Sequence, residues 1–200
     1  MTISAIVLAA GRSSRFGEAN KLLADVSGRP MIKVVTGAVA ESRVQDIVLV
    51  TGNDGGRVAA AVGPGPWRIV ANLEPELGLS SSIRAGLAAL SDEVNGVLIV
   101  LGDMPGVSAA LIDQLIAAFE ARAWDVIVFP VSTQGRQGHP VLWPAALFAE
   151  LSALTGDTGA KALLAKYSDR VVTIAATGDA AFFDVDTVED LSRLKDGAAG

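Results

Sequence analysis

Short apolar runs with strand character alternate with helix-like segments along this chain. A strand, a helix and a following strand form right-handed βαβ units, so the alternation predicts a doubly wound α/β fold with a mostly parallel sheet. The predicted strands are Ile3–Leu8, Asp46–Thr51, Trp67–Ala71, Val97–Leu101, Asp125–Pro130 and Val171–Ala175.

The helical segments lie between these runs, and serine N-caps are predicted for the third and fourth of them. The predicted helices are Met31–Glu41, Arg57–Val62, Ser80 or Ser81 to Leu90, Ala109–Arg122, Ala145–Leu154, Gly159–Lys166 and Val188–Leu194. Without an internal repeat or a composition break, residues 1–196 are predicted to form one domain. The small-residue tail 197–200 is predicted to be disordered.

Composition excludes several classes of function. The formal net charge of −6 gives no general field for holding DNA or RNA, and no apolar run reaches the ~20 residues needed to cross a bilayer. Because the chain has no cysteine, it has no disulfides, thiolate metal ligands or cysteine nucleophile. Without a signal-peptide pattern at its start, the chain is predicted to be cytoplasmic, with neither nucleic acid nor membrane as a partner.

The loop after the first strand, LAAGRSSRFG at residues 8–17 with Lys21 beyond it, combines small residues with three cations. Small residues let backbone N–H groups approach anionic oxygens while the cations neutralise them, so the loop predicts a site for a nucleoside triphosphate. It matches neither the P-loop nor the dinucleotide-binding pattern. The alternative is an ordinary solvated loop.

Carboxylates in two places are candidate Mg²⁺ ligands. Asp103 directly follows a buried strand, where it can hold Mg²⁺ against phosphate oxygens. Asp184 and Asp186 share one face of an extended segment, with Val185 facing the other way. The alternatives are a turn or cap role for Asp103 and a helix N-cap role for Asp186.

Two further polar groups are candidates for substrate contact. Asn72 ends a predicted strand, and Ser80, Ser81 and Ser82 open a predicted helix, where hydroxyls and free N–H groups suit anions or a base edge. A plain serine N-cap explains only one of the three serines. The chain's single histidine, His139, has no triad or zinc partners and either contacts an anionic second substrate or stabilises its loop.

Taken together, the ordered motifs resemble the MobA-like nucleotidyltransferase family, and within it the molybdenum cofactor cytidylyltransferase branch. The resemblance covers nearly the whole chain. It rests on residues 8–17 with Lys21, Asn72 with 78–82, 101–105, 138–141, 156–161 and 184–191.

This resemblance implies a three-layer, Rossmann-like nucleotidyltransferase fold with helices on both faces of a mostly parallel sheet. It implies transfer of a nucleoside monophosphate from a triphosphate to a phosphorylated acceptor, with Mg²⁺ as cofactor and pyrophosphate as product. Catalytic roles fall to Lys21, Arg15 and Asp103, metal binding to Asp103 and Asp186, and acceptor binding to Gly138, His139 and Pro140. The implied nucleotide-binding residues are Leu8, Ala9, Ala10, Gly11, Arg12, Ser13, Lys21, Asn72, Ser80, Ser81, Ser82 and Asp103.

Within the family, Leu-Ala-Ala-Gly in the first loop is typical of cytidylyl transfer, whereas guanylyl enzymes more often carry Leu-Ala-Gly-Gly, so Ala10 indicates CTP. Molybdopterin is the implied acceptor, with transient contact to a molybdoenzyme or its chaperone. The alternatives are GTP as donor, a sugar, polyol or choline phosphate as acceptor, an NAD(P)-linked oxidoreductase, and a non-catalytic carrier of the molybdenum cofactor.

Overall fold

The computed structural model describes residues 2–11, 16, 20–156, 160–176, 182–187 and 189–192. The strands are β1 (Thr2–Ala9), β2 (Asp25–Val26), β3 (Arg29–Pro30), β4 (Asp46–Thr51), β5 (Trp67–Ala71), β6 (Val94–Leu101), β7 (Ile127–Val131), β8 (Val141–Pro144) and β9 (Val171–Ala175). The helices are α1 (Met31–Ala40), α2 (Gly55–Val62), α3 (Leu79–Ala88), α4 (Ala109–Glu120), α5 (Phe148–Ser152) and α6 (Lys161–Lys166). None of the described helices has both the length and the apolar character needed to cross a membrane.

Seven strands form one sheet in the order β5-β4-β1-β6-β8-β7-β9. Six of them run in the same direction, and β8 lies antiparallel between β6 and β7. Strands β2 and β3 form a separate two-stranded hairpin. The predicted mostly parallel sheet is therefore confirmed, with one reversed strand inside it.

Side chains of β1 alternate between two hydrophobic clusters, one on each face of the sheet. Ala5 and Val7 belong to the cluster formed with α1, α2 and α4, whereas Ile6 and Leu8 belong to the cluster formed with α3, α5 and α6. Neighbouring β6 divides its side chains in the same way. A central strand buried on both faces is typical of a three-layer α/β fold, and the predicted fold class is confirmed.

All six predicted strands are present, with ends that differ by a few residues. Three details differ from the sequence prediction. The apolar run after His139 forms β8. The predicted helix 145–154 is a 3₁₀ turn (Ala145–Leu147) followed by α5. Helix α3 begins at Leu79 with Gly78 in the N-cap position, so no serine caps it. The Ser108 hydroxyl does cap α4, accepting a hydrogen bond of 3.2 Å from the Leu111 N–H. The predicted tail 197–200 and the end of the last predicted helix lie outside the described residues.

The topology brings several loops to the carboxyl edge of the sheet. Parallel strands β1 and β6 both end there, next to each other, and Gly11 and Asp103, which follow these strands, line the same cavity. Because β8 runs antiparallel to β7, the connection at 132–140 is a hairpin loop at that same edge. In open α/β sheets this edge is where ligands bind.

We expect Gly86→Ala to destabilise the protein, because a Cβ at this position in α3 would lie 2.5 Å from Cγ2 of the buried Ile6. Overpacking of this kind costs about 1–3 kcal/mol. The matched control is Gly37→Ala in α1, where no described atom lies within 4 Å of the added Cβ and helix propensity favours alanine by about 1 kcal/mol. Thermal unfolding should show a lower Tm for the first variant and an equal or higher Tm for the second; the reverse order would contradict the packing of α3 on β1.

Candidate active site

The first wall of the site is the end of β1 and the turn after β6. The Gly102 N–H donates a 3.0 Å hydrogen bond to the Leu8 carbonyl, so the two chain segments lie in direct contact. A Cβ at position 102 would lie 2.8 Å from that carbonyl oxygen. A glycine before Asp103 is therefore needed to bring the Asp103 carboxylate to the end of β1.

Lys21 reaches the same place from a short 3₁₀ helix (Lys21–Leu23). Asn20 caps this helix, accepting a 3.0 Å hydrogen bond from the Leu22 N–H, and its amide nitrogen donates to Asp54 Oδ2 at 3.1 Å. Lys21 Nζ lies 2.6 Å from Asp103 Oδ2 and 2.7 Å from Asp186 Oδ1. The structure thus brings two predicted site residues, Asp103 and Asp186, to the ammonium group of a third, Lys21.

The segment that carries Asp186 is fixed by its neighbours. The Val185 N–H donates to the Asp103 carbonyl at 3.0 Å, and the Val185 side chain is buried with Val26 and Met31. Asp186 follows directly and its side chain points to Lys21, whereas Asp184 is exposed.

The cap of the last helical turn is Thr187, not Asp186. The Asp190 N–H donates to the Thr187 hydroxyl at 3.1 Å, and Asp190 Oδ2 accepts from the Thr187 N–H at 2.9 Å. This reciprocal arrangement is a capping box, and the Thr-x-x-Asp spacing was a sequence signal for it. The capping box assigns this cap to Thr187, and the Asp186 carboxylate accepts a hydrogen bond from the Lys21 ammonium.

The Lys21 ammonium remains charged in this environment. Burial lowers the pKa of Lys21, but the charges and hydrogen bonds of Asp103 and Asp186 together outweigh burial, and the net pKa lies above its ordinary value. The ammonium therefore stays protonated throughout the physiological pH range.

The donor set around this ammonium also suits a divalent cation. Asp103 and Asp186 present two carboxylate oxygens to one cation position, and such oxygens are the ligands that Mg²⁺ prefers. Within the described residues, no three His, Cys, Asp or Glu side chains form a metal-binding group. Phosphate oxygens and water would complete the coordination, as is usual for Mg²⁺ at nucleotide sites.

A cleft of about 390 Å³ opens beside these carboxylates. Of the predicted nucleotide-binding residues, Leu8, Ala10, Gly11, Ser82 and Asp103 line it. Ala9 belongs to the hydrophobic cluster on the opposite face of the sheet. Pro75 and Glu76 also line the cleft, although their sequence gave no sign of a role in the site.

Asn72 lies behind the cleft, where it organises the start of α3. Its amide nitrogen donates to the hydroxyls of Ser81 at 2.8 Å and Ser82 at 3.0 Å, and its amide oxygen accepts from the Glu74 N–H at 3.0 Å. Ser80 is fully buried, and its hydroxyl has no hydrogen-bond partner among the described residues. The Asn72 amide thus holds Ser82 in place in the cleft wall.

A second cavity, of about 530 Å³, adjoins the first across Leu79 and Leu101, which line both. Of the predicted acceptor-binding residues, His139 lines this cavity, while Gly138 and Pro140 are buried beside it. Burial lowers the pKa of His139; Asp103 and Asp184 oppose that effect and Lys161 adds to it, so the net pKa lies below its ordinary value. The imidazole is therefore neutral at pH 7.

Three predicted site residues, Arg12, Ser13 and Arg15, lie outside the described part of the chain. Their roles stay predictions from the motif. Lys161, which lines the second cavity, received no role from sequence reasoning, although it belongs to the motif at 156–161.

The site is a polar cleft at the carboxyl edge of a doubly wound sheet, and a lysine and two carboxylates lie at its end. This combination is typical of a nucleotide-binding α/β protein of the nucleotidyltransferase type. The model of the MobA-like NTP transferase domain matches residues 5–171. The chain therefore belongs to the MobA-like NTP transferase family, and the resemblance found in the sequence is confirmed.

Individual relatives match over almost the whole chain. Nicotine blue oxidoreductase from Paenarthrobacter nicotinovorans is 30% identical over 198 residues, which are 96% of each protein. The crystal structure of Rv0371c from Mycobacterium tuberculosis H37Rv has a TM-score of 0.86 at 28% identity and 98% coverage of both chains, and the same protein has been solved in complex with manganese. A nucleotidyl transferase from Methanothermobacter has a TM-score of 0.83 at 25% identity, covering 98% of this chain and 97% of its own.

We expect Lys21→Met to lower the Tm and to make the protein responsive to divalent cations. Removing the ammonium takes away the positive charge that lies between the Asp103 and Asp186 carboxylates. The expected loss of stability is about 1–2 kcal/mol, since part of the repulsion is screened where Asp186 meets water. Differential scanning fluorimetry with Mg²⁺ or Mn²⁺ should recover this loss without nucleotide.

The control is Lys33→Met, which removes an exposed lysine from α1 and should not create a response to divalent cations. If Lys21→Met gains no stability from either ion, Asp103 and Asp186 do not form a metal site.

Proposed function

We propose that this protein transfers CMP from CTP to the phosphate of molybdopterin and releases pyrophosphate. The observation that carries the proposal is the meeting of Lys21, Asp103 and Asp186 at the end of a cleft lined by the small-residue loop after β1. Membership of the MobA-like NTP transferase family supports the reaction class. The Leu-Ala-Ala-Gly loop supports CTP as the donor, and the order of the motifs supports molybdopterin as the acceptor.

The proposed reaction is a displacement at the α-phosphorus of CTP. An oxygen of the acceptor phosphate forms a bond to that phosphorus, while the bond from the phosphorus to the oxygen bridging to the β-phosphate breaks and pyrophosphate leaves. An acceptor phosphate monoester has its second pKa near ~6, so it is already largely dianionic at neutral pH. No side chain needs to remove a proton, which agrees with a site that has carboxylates and cations but no paired histidine.

The residues of the site then act by positioning and by stabilising charge. Lys21, which bonds to two carboxylates, would exchange one of them for a phosphate oxygen when the nucleotide enters. Arg15 is the second cation that the motif assigns to the phosphates. A divalent ion bound by Asp103 and Asp186 would supply further neutralisation of the triphosphate.

A second candidate function is an NAD(P)-linked oxidoreductase. It is favoured by the relative named nicotine blue oxidoreductase, which matches 96% of the chain. The absence of the Gly-x-Gly-x-x-Gly pattern from the loop after β1 opposes it. A spectrophotometric assay for oxidation of NADH or NADPH with nicotine blue separates the two candidates.

The direct test is release of pyrophosphate from CTP in the presence of Mg²⁺ and Mo-molybdopterin. We expect wild-type protein to be active and Asp103→Asn to lose at least about 100-fold in kcat, because charge stabilisation at the transition state is lost. The control, Asp92→Asn, changes an exposed aspartate in the turn before β6 and should keep full activity. Activity with GTP or with another phosphorylated acceptor would redirect the assignment, and no pyrophosphate release with any nucleotide would contradict it.

The choice of base is tested by Ala10→Gly. Ala10 lines the cleft, and its backbone packs so closely on Gly52 that a Cβ at position 52 would lie 2.8 Å from the Ala10 carbonyl oxygen. Because one methyl group in a pocket discriminates by about tenfold or more, we expect the kcat/KM ratio of CTP over GTP to fall by about tenfold. Ala9→Gly is the control, since the Ala9 side chain faces the other side of the sheet. An unchanged ratio in Ala10→Gly would exclude Ala10 as the selecting residue.

A further inference from the structure

Lys21 belongs to a very short element, and its ammonium depends on how that element is held. The 3₁₀ helix that begins at Lys21 has 3 residues and makes a single turn. Leu22 anchors the turn, because its side chain is buried in the cluster formed with α1, α2 and α4. The Lys21 side chain is long and flexible, so a small rotation of the turn moves its ammonium away from Asp103 and Asp186. Contacts that fix the turn therefore fix the positive charge of the site.

Asn20 holds the start of this turn with both ends of its side-chain amide. Its Oδ1 accepts a 3.0 Å hydrogen bond from the Leu22 N–H, and its Nδ2 donates to Asp54 Oδ2 at 3.1 Å. Asn20 is only 8% exposed, so water has little access to it. Because an amide oxygen accepts and an amide nitrogen donates, an acceptor at Asp54 favours the orientation in which the oxygen faces the turn. Asp54 thus supports the cap of the Lys21 helix from another loop.

Asp54 occupies the N-cap position of α2, but its carboxylate does not cap that helix. An aspartate at such a position ordinarily accepts a hydrogen bond from a backbone N–H of the first turn. Here the Asp54 backbone carbonyl accepts from the Val58 N–H at 3.0 Å, which fixes the main chain, and the side chain contacts Asn20 instead. Capping of α2 therefore does not account for the carboxylate.

Arg57 is a second neighbour of the same carboxylate. Its Nη1 lies 3.6 Å from Asp54 Oδ2, and the Arg57 and Asp54 side chains are 62% and 46% exposed. Water and salt screen an ion pair as exposed as this one, so it contributes little. The hydrogen bond to the buried Asn20 is therefore the contact of Asp54 that matters for the site.

We propose that Asp54 is a positioning residue for Lys21: through the Asn20 amide it sets the start of the 3₁₀ helix and, with it, the place of the ammonium. The bond joins the loop before α2 to a turn 34 positions earlier in the chain. Asp54 is not among the described residues that line the nucleotide cleft, so its effect is indirect. This inference rests on the proposed function for the reaction that Lys21 serves, but the place of Lys21 can be measured without catalysis.

The kinetic test is release of pyrophosphate from CTP by Asp54→Ala with Mg²⁺ and Mo-molybdopterin. Because Asp54 is exposed, we expect the variant to fold. A misplaced charge weakens stabilisation of the transition state more than binding of CTP, so kcat should fall about tenfold while the KM for CTP changes by less than about threefold. An unchanged kcat, or a change confined to KM, would overturn the proposal.

Two further variants separate the hydrogen bond from the ion pair. Asp54→Asn keeps a side-chain oxygen that can accept from Asn20 but has no charge to pair with Arg57. Arg57→Ala removes the ion pair and leaves the Asp54 carboxylate in place. Both should keep kcat within about threefold of the wild-type value. A loss in either variant as large as that in Asp54→Ala would overturn the proposed path through Asn20.

The place of Lys21 can be observed directly by NMR in protein labelled with ¹³C at Cε of lysine. The Lys21 signal is the one missing from the spectrum of Lys21→Met. In Asp54→Ala we expect this signal to move toward that of the exposed Lys33, because the ammonium leaves the two carboxylates. It should stay in place in Asp54→Asn and Arg57→Ala. A mere loss of stability would not move the signal of the folded protein, and an unmoved Lys21 signal in Asp54→Ala would overturn the proposal.

Failure of this inference can be distinguished from failure of the proposed function. If the Lys21 signal moves as expected and no nucleotide releases pyrophosphate, the positioning of Lys21 by Asp54 stands and the transfer reaction falls. If wild-type protein releases pyrophosphate and Asp54→Ala matches its kcat, the transfer reaction stands and the positioning role falls.

Discussion

The ammonium of Lys21, placed between Asp103 and Asp186, is the interaction on which the site depends. It joins three segments that are far apart in sequence, and Lys21 and Asp186 are separated by 165 positions. Two partly buried carboxylates that contact the same ammonium repel each other, and the cation between them offsets that repulsion. Desolvation offsets much of the energy of such a pair, so the ion pairs add less to stability than removal of the ammonium would cost.

The same arrangement explains how one place can suit two kinds of cation. An ammonium and a divalent metal ion both need carboxylate oxygens, and Asp103 and Asp186 provide them from two rigid supports. Asp103 follows β6, and Asp186 follows a valine that is fully buried beside Val26 and Met31. Neither carboxylate depends on the long side chain of Lys21 for its position, so the lysine can change partners without rebuilding the site.

Much of the fold could be predicted because its strands are runs of β-branched and leucine residues, such as residues 97–101. Such a run predicts a buried strand without reference to the rest of the chain. The direction of β8 could not be predicted, because nothing in the four residues Val141–Pro144 indicates which way the strand runs. Its antiparallel direction is seen only in its pairing with β6 and β7. In the site, motif order pointed to Lys21, Asp103 and Asp186, but long-range packing decides that Lys21 contacts the two carboxylates. The serines at 80–82 resemble caps in sequence, yet Asn72, eight or more positions earlier, binds two of their hydroxyls.

The two cavities draw part of their walls from different regions of the chain. The walls of the nucleotide cleft come mostly from the first half of the chain, whereas Val141, Trp143 and the lining residues of α6 belong to the second cavity alone. Substitutions on β8 and α6 can therefore reshape the second cavity while residues 8–11 and Asp103 stay as they are. Leu79 and Leu101 are the exception, because they form a wall common to both cavities. A substitution that changes the size of either side chain therefore changes the shape of both cavities.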